Sequence, residues 1–246
     1  VKRTLGKGFE TFLKQVAADA TELNILNWVA ETYRGMGESF GAHIRNVPQD
    51  SLEAAKSYYG QAADTYQKIL DMGAKTPGFL SGPMQTQLSL QLAKTKRSMG
   101  DYVKAMDMFE VILKKQPSML PVQIEAARTY QDWGSFKDSH ENYLRAILGA
   151  RPDKAKNNKN TIWGWGEIAR VTAPTSSGGQ YKDQFHEARY NLALCRYNYA
   201  VSHKDAAKKK ENFQRAKSDV AIIAGFYPDL GGDKWKAQYD ALLKKV

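Results

Sequence analysis

The sequence predicts an all-α chain built from about four stacked helical hairpins with capping helices at both ends. Three observations carry this prediction. A glycine followed two residues later by an aromatic residue occurs at Gly100 and again at Gly134, 34 residues apart. Apolar residues near both glycines recur at spacings of three and four, which is typical of amphipathic helices. Prolines stand between the apolar segments, where they separate helices rather than interrupt them.

The first clear copy of the repeat covers residues 86–119 and is predicted to contain two helices. Gly100 is predicted to end the first helix, because glycine adopts the left-handed conformation at low cost. Asp101 can cap the second helix, and Pro117 stops it. The apolar face of this second helix consists of Tyr102, Ala105, Phe109 and Ile112.

The second copy covers residues 120–153 and repeats these landmarks. Gly134 is predicted to end its first helix, Ser135 to cap the next one, and Phe136 to fill the space between hairpins. Pro152 is predicted to stop the second helix. One hairpin cannot bury its apolar face alone, so we expect the copies to stack. The other positions that match the first copy are Ala127, Ser139, Tyr143 and Ala146.

These landmarks resemble the tetratricopeptide repeat family, whose 34-residue unit places small, glycine, aromatic and proline residues at corresponding positions. The resemblance implies a right-handed superhelix of α–α hairpins, a tetratricopeptide-like solenoid. It also implies that the first helix of each pair lines a concave groove. The function that it implies is a non-enzymatic scaffold or adaptor, which binds a peptide or a partner protein in that groove.

Two degenerate copies of the repeat are predicted to flank the clear ones, at residues 23–72 and 183–228. Each reproduces the apolar spacing of the second helix, and each has a turn longer than the family pattern. The extended turns are expected at residues 37–50 and 203–210. The whole chain, 1–246, is predicted to form a single domain of helical repeats.

An insertion at residues 153–182 is predicted to interrupt the array. It contains a short apolar helix candidate, 161–171, that the pattern does not place, and a turn-rich stretch, 173–182, that we expect to be a loop. Residues 232–246 are predicted to form a capping helix over the last repeat. A matching N-terminal helix is predicted to carry on one face Phe9, Phe12, Leu13 and Val16.

The resemblance also assigns residues to the concave groove. Lys94 and Arg128 occupy the same repeat position, and with Arg97 they would place three cations near aliphatic residues, a combination suited to an acidic peptide. Some members of the family bind a carboxylate with a lysine and an asparagine at two fixed repeat positions. Here those positions hold Leu90 and Lys94, so carboxylate binding of that kind is not implied. Trp163 is expected, with Trp165, to form a second contact patch. The predicted groove residues are Gln87, Leu90, Lys94, Arg97, Ile124, Arg128 and Gln131.

No catalytic, cofactor-binding or metal-binding residue is predicted, and the chain is not expected to be an enzyme. The four histidines have no metal-ligand spacing, and the single cysteine, Cys195, lies close to Leu192 and Leu194 on a helix that is predicted to be buried. No phosphate loop or nucleophile elbow occurs in the sequence.

The expected partner is a protein or peptide, and the net charge of +10 favours an acidic one. The first alternative is a structural subunit of a larger assembly. The second is nucleic-acid binding through the basic stretches Lys154–Lys159 and Lys208–Lys210, although a nucleic acid is not the favoured partner. No apolar run is long enough to span a membrane. The oligomeric state and the compartment stay open.

Overall fold

A computed structural model shows that every regular element among residues 2–150 and 161–245 is a helix. The structure describes the backbone of residues 2–150 and 161–245, and the side chains of residues 8–150 and 161–245. These described residues contain no β-strand, so the predicted all-α class is confirmed. The helices fall into two compact units, Val1–Met108 and Phe109–Val246. The prediction of a single domain stays a prediction.

The first unit is built on a helix pair that the sequence predicts as a degenerate repeat. α2 packs against α3, and α3 packs against α4. Their shared core contains Leu26, Tyr66 and Leu92, all shielded from water. The helices are α1 (Lys2–Asp19), α2 (Leu23–Glu38), α3 (Leu52–Lys75), α4 (Gly82–Ser98) and the first part of α5 (Tyr102–Lys115), with short 3-10 turns at Ile44–Asn46 and Gln49–Ser51.

The turn between α4 and α5 follows the prediction. Gly100 has φ +80°, the left-handed conformation that favours glycine, and it lies just after the end of α4. Tyr102 and Ala105 are buried on the apolar face of α5, which ends at Lys115 before Pro117. The first copy of the repeat therefore has the two predicted helices.

The second unit contains two further predicted helix pairs. α6 packs against α7, and α10 packs against α11. α12 packs against both α10 and α11, at the place where the sequence predicts a capping helix. The helices are α6 (Leu120–Lys137), α7 (His140–Leu148), α8 (Trp165–Thr172), α9 (Pro174–Ser177), α10 (Lys182–Ser202), α11 (Ala206–Phe226) and α12 (Asp233–Leu243).

In the second copy, the link between the two helices lies four residues later in the sequence than predicted, at Asp138 instead of Gly134. Gly134 does not end α6, which continues to Lys137. The left-handed residue is instead Asp138, with φ 47°. The cap of α7 is Ser139 and not Ser135, because the Ser139 hydroxyl accepts a hydrogen bond from the backbone N–H of Asn142 at 3.4 Å.

The predicted positions of three phenylalanine rings, in α6 and in α1, are wrong. Phe136 does not fill a space between hairpins, since the extra turn of α6 places it at the surface with 51% of its area exposed. In α1, Leu13 and Val16 pack inward as expected. Phe9 and Phe12 do not share that face, and their exposed rings stack on each other at 6.4 Å.

The insertion is partly helical. Of the unplaced apolar candidate, residues 165–171 belong to α8, which packs against α7 and α10. The stretch 173–182 is not only loop, because it contains α9 and the first residue of α10. The turn before α11 is also shorter than predicted, since α11 already begins at Ala206. Pro152 and the basic stretch Lys154–Lys159 lie outside the described residues.

Candidate functional site: a polar cleft on α6, α10 and α12

The predicted groove residues of the first unit differ in exposure. Gln87 is exposed, Lys94 is half-buried, and Leu90 and Arg97 are buried. Burial alone would raise the pKa of Glu31, but hydrogen bonds from Tyr66 and Arg34, together with the charge of Lys94, lower it. Lys94 therefore already has a carboxylate nearby, and Arg97 is not a free surface cation.

In the second unit, Arg128 is held by two carboxylates. Its Nη1 donates to Glu125 Oε1 at 2.8 Å and its Nε to Glu187 Oε1 at 2.7 Å, while Nη2 also bonds Glu187. Burial alone would lower the pKa of Arg128, but the two carboxylates outweigh it and raise that pKa. The guanidinium thus links α6 to α10. Its charge is compensated before any partner arrives, contrary to the free cation that the sequence predicts.

Gln131 serves an internal junction instead of a groove surface. Its Nε2 donates to Asn191 Oδ1 at 3.1 Å, and its Oε1 accepts from Trp165 Nε1 at 2.9 Å. The Cys195 thiol donates to the same oxygen at 3.4 Å. Ile124 is buried as well. Of the predicted residues in this unit, Arg128 is the one that lines an open cleft.

Trp165 and Cys195, which both donate a hydrogen bond to Gln131, are part of the interior. Trp165 is fully buried, so the predicted exposed pair with half-buried Trp163 does not form. Burial raises the pKa of the Cys195 thiol well above its ordinary value, and Asp132 adds to the effect. The protonated thiol is therefore favoured in this buried position.

A cleft of about 500 Å³ opens where side chains of α6, α10 and α12 converge. We refer to it as the α10–α12 cleft. Its wall is mostly polar, with two aromatic rings. The lining residues are Arg128 from α6, Asp183, Glu187, Tyr190 and Asn191 from α10, Gly231 and Gly232 from the turn before α12, and Asp233, Lys234, Trp235 and Gln238 from α12.

The aromatic side of the cleft is made by Tyr190 and Trp235, whose ring centroids lie 5.8 Å apart at 45°. Tyr190 also meets Tyr239 edge-on at 5.3 Å, and Tyr239 is fully buried. The two lining rings are only partly buried, so each keeps an accessible surface. Lys234 places its Nζ 4.8 Å from the centroid of the Trp235 ring, a cation–π contact.

Behind the glycine turn of the cleft lies a buried imidazole. His186 is 1% exposed, and neither of its ring nitrogens has a hydrogen-bond partner. Gly231, with φ +88°, passes so close that a Cβ there would meet the imidazole ring. Phe185 and Tyr227 contact the ring edge-on at 5.3 Å each. Burial, reinforced by the charge of Lys182, lowers the pKa of His186, which favours the neutral ring.

Sequence reasoning missed the α10 side of this cleft. Asp183, Glu187 and Asn191 recur every four residues and therefore share one face of α10. That spacing could have identified them, because α10 is the first helix of the fourth predicted hairpin and first helices are predicted to line the groove. The contribution of the α12 residues carried no comparable signal.

A basic depression of about 370 Å³ lies on α11, separate from the cleft. Lys209, Lys210 and Lys217 surround the partly buried ring of Phe213. Lys208–Lys210, which the sequence assigns to a basic loop, thus belong to the first turns of a helix.

Among residues 8–150 and 161–245, no group of three or more histidine, cysteine, aspartate or glutamate side chains could hold a metal ion. Within the described part of the chain, no helix combines the length and the apolarity that crossing a membrane requires. Comparisons with family models, with curated proteins and with solved structures gave no match.

Proposed function

We propose that this chain is a non-enzymatic scaffold of the tetratricopeptide type, which holds a segment of a partner protein in the α10–α12 cleft. In this proposal the helix pairs follow one another as a right-handed superhelix, and the first helix of each pair lines its inner surface. The observation that carries the proposal is the cleft itself. It is lined by α6 and α10, the first helices of two predicted hairpins, and by the capping helix α12.

Burial of the repeat landmarks supports the repeat assignment. In the first copy, Tyr102, Ala105 and Phe109 are nearly or fully buried. In the second copy, Tyr143 and Ala146 are buried at the positions that correspond to Phe109 and Ile112. Such a pattern is expected when large rings and small side chains alternate between packed helices. Phe136 departs from this pattern because it is exposed, whereas Gly134 is buried but does not end its helix.

The chemistry of the cleft favours binding over catalysis. Arg128, which lines the cleft, is fixed by Glu125 and Glu187, so its guanidinium is held rigidly in place. A rigid polar group beside partly exposed aromatic rings is typical of a binding surface with a polar rim.

A capture experiment with matched variants tests this function. The tagged chain captures proteins from a lysate, and each captured protein is then purified and rebound in isolation. Gln238→Arg and Trp235→Ser alter the cleft, whereas Gln116→Arg adds the same charge at an exposed position outside it. We expect one partner to be weakened at least about tenfold by both cleft variants and to be unaffected by the control. Equal affinity for all four proteins would assign the interaction to another surface, as for a structural subunit.

A second candidate function, nucleic-acid binding, is favoured by the depression on α11. Its three lysines surround one aromatic ring, an arrangement that suits a phosphate backbone and a stacked base. If the depression binds nucleic acid, the affinity for a single-stranded oligonucleotide falls steeply as the salt concentration rises. The double variant Lys209→Glu with Lys217→Glu then loses this affinity. Affinity that is insensitive to both changes would exclude this candidate.

A further inference from the structure

The charge of the α10–α12 cleft differs from that of the whole chain. The chain carries a net charge of +10, but the cleft is lined by three carboxylates and two cations. One of these cations, Arg128, is already bound by Glu187 and Glu125. The carboxylates that remain are Asp183 and Asp233, both exposed and facing the same cleft. The site open to a partner is therefore locally anionic.

Two of the chain's own cations show what this cleft accommodates. The Arg128 guanidinium lies between carboxylates on one wall, and the Lys234 ammonium lies over the Trp235 ring on the other. Lys234 is exposed and sits on a long flexible stem, so another cation can displace it at small cost. An aromatic face beside carboxylates attracts a cation both through the ring quadrupole and through charge.

We propose that the cleft recognises a basic segment of the partner, with a lysine or arginine side chain over the Trp235 and Tyr190 rings and its charge near Asp183 and Asp233. This inference rests on the proposed function, since it specifies the occupant of the same cleft. The proposed partner segment is basic, whereas the net charge of the chain favours an acidic partner. The charges nearest to the bound segment dominate its electrostatic energy, because salt screens the more distant ones.

The probe is a phage-displayed library of random twelve-residue peptides, selected on the immobilised full chain. Selected peptides are synthesised with a fluorescent label, and dissociation constants are measured by anisotropy. The test variant is Asp183→Asn with Asp233→Asn. The matched control is Asp64→Asn with Asp240→Asn, which removes two exposed carboxylates outside the cleft. Circular dichroism confirms that both variants keep the helical content of the wild type.

We expect the selected peptides to be enriched in lysine and arginine. Their affinity should fall at least about tenfold in the cleft variant and stay unchanged in the control. Acidic or uncharged peptides that depend on Trp235 but not on the two aspartates would overturn this inference and leave the proposed function in place. Peptides that bind equally to wild type and to Trp235→Ser, or no peptide at all, would overturn both.

Discussion

The junctions at Gly100 and Gly134 occupy the same repeat position, yet they fold differently. Gly100 has φ +80° and terminates α4. Gly134 lies inside α6, where a Cβ would approach Tyr143 Cδ1 to 2.9 Å. The first glycine is required by backbone conformation and the second by the close approach of a ring. A repeated residue therefore identifies a constrained position without telling which constraint applies.

The largest expected difference concerns the rings that follow the two glycines. Tyr102 is 3% exposed and Phe136 is 51% exposed. We expect Tyr102→Ala to lower the free energy of unfolding by about 3–5 kcal/mol, the usual cost of deleting a buried ring. Phe136→Ala should change it by less than about 0.5 kcal/mol. Urea unfolding monitored by circular dichroism measures both. Similar costs for the two variants would remove the distinction between the junctions.

The glycines themselves can be separated by a double-mutant cycle. Gly100→Ala should cost about 1–2 kcal/mol, the strain of a left-handed residue with a side chain. Gly134→Ala should also destabilise the wild type, because the new methyl group meets the Tyr143 ring. In a Tyr143→Ala background the same change should instead stabilise by about 1 kcal/mol, since alanine has the higher helix propensity.

The matched control for that cycle is Gly100→Ala in an Ile44→Ala background. Ile44 Cγ2 would lie at an ordinary 3.4 Å from the new methyl group, so its removal should give no rescue. If Gly134→Ala costs the same with and without the Tyr143 ring, the close-approach explanation fails.

The two serines test where α7 begins. Ser139→Ala should cost about 0.5–1 kcal/mol, because its hydroxyl caps the Asn142 N–H, whereas Ser135→Ala should be neutral or slightly stabilising in a helix interior. Thermal unfolding of both single variants measures the difference. A larger loss of stability in Ser135→Ala than in Ser139→Ala would indicate that α7 begins after Ser135, as the repeat predicts.

Gly231 combines both constraints, a positive φ and a nearby ring, and that ring is titratable. Because burial lowers the pKa of His186 in the folded chain, the unfolded chain binds protons more readily near and below the ordinary histidine pKa of about 6.5. The contribution of His186 to stability is thus complete above that pH, and it is lost as the pH falls toward the lowered pKa.

We expect His186→Phe to reduce the loss of unfolding free energy between pH 7.5 and pH 5, as measured by urea unfolding at several pH values. Phe185→Leu is the control, because it alters the neighbouring ring without removing a titrating group. It should lower stability by a similar amount at every pH. An unchanged pH dependence in His186→Phe would show that this imidazole is not the group responsible.

The helices could be predicted from the sequence because the apolar spacing and the 34-residue period are local signals. The end of α6 could not, since Ser135 and Phe136 are compatible with a helix and Asp138 can replace glycine in a left-handed turn. The pattern assigned Arg128 to a groove, and the structure places it in a cleft. Its partner Glu187 lies 59 residues away, so nothing in the repeat shows that its charge is compensated.

Photo-crosslinking tests most directly whether a partner occupies the α10–α12 cleft. Benzoylphenylalanine replaces Gln238 in the cleft or Ala224 at an exposed position on α11 outside it. The purified partner from the capture experiment is irradiated with each protein, and the crosslinked residues are mapped by mass spectrometry. We predict crosslinks from position 238 to a lysine- or arginine-containing segment, and none from position 224. Crosslinks from position 224 alone would contradict the assignment of the cleft as the binding site.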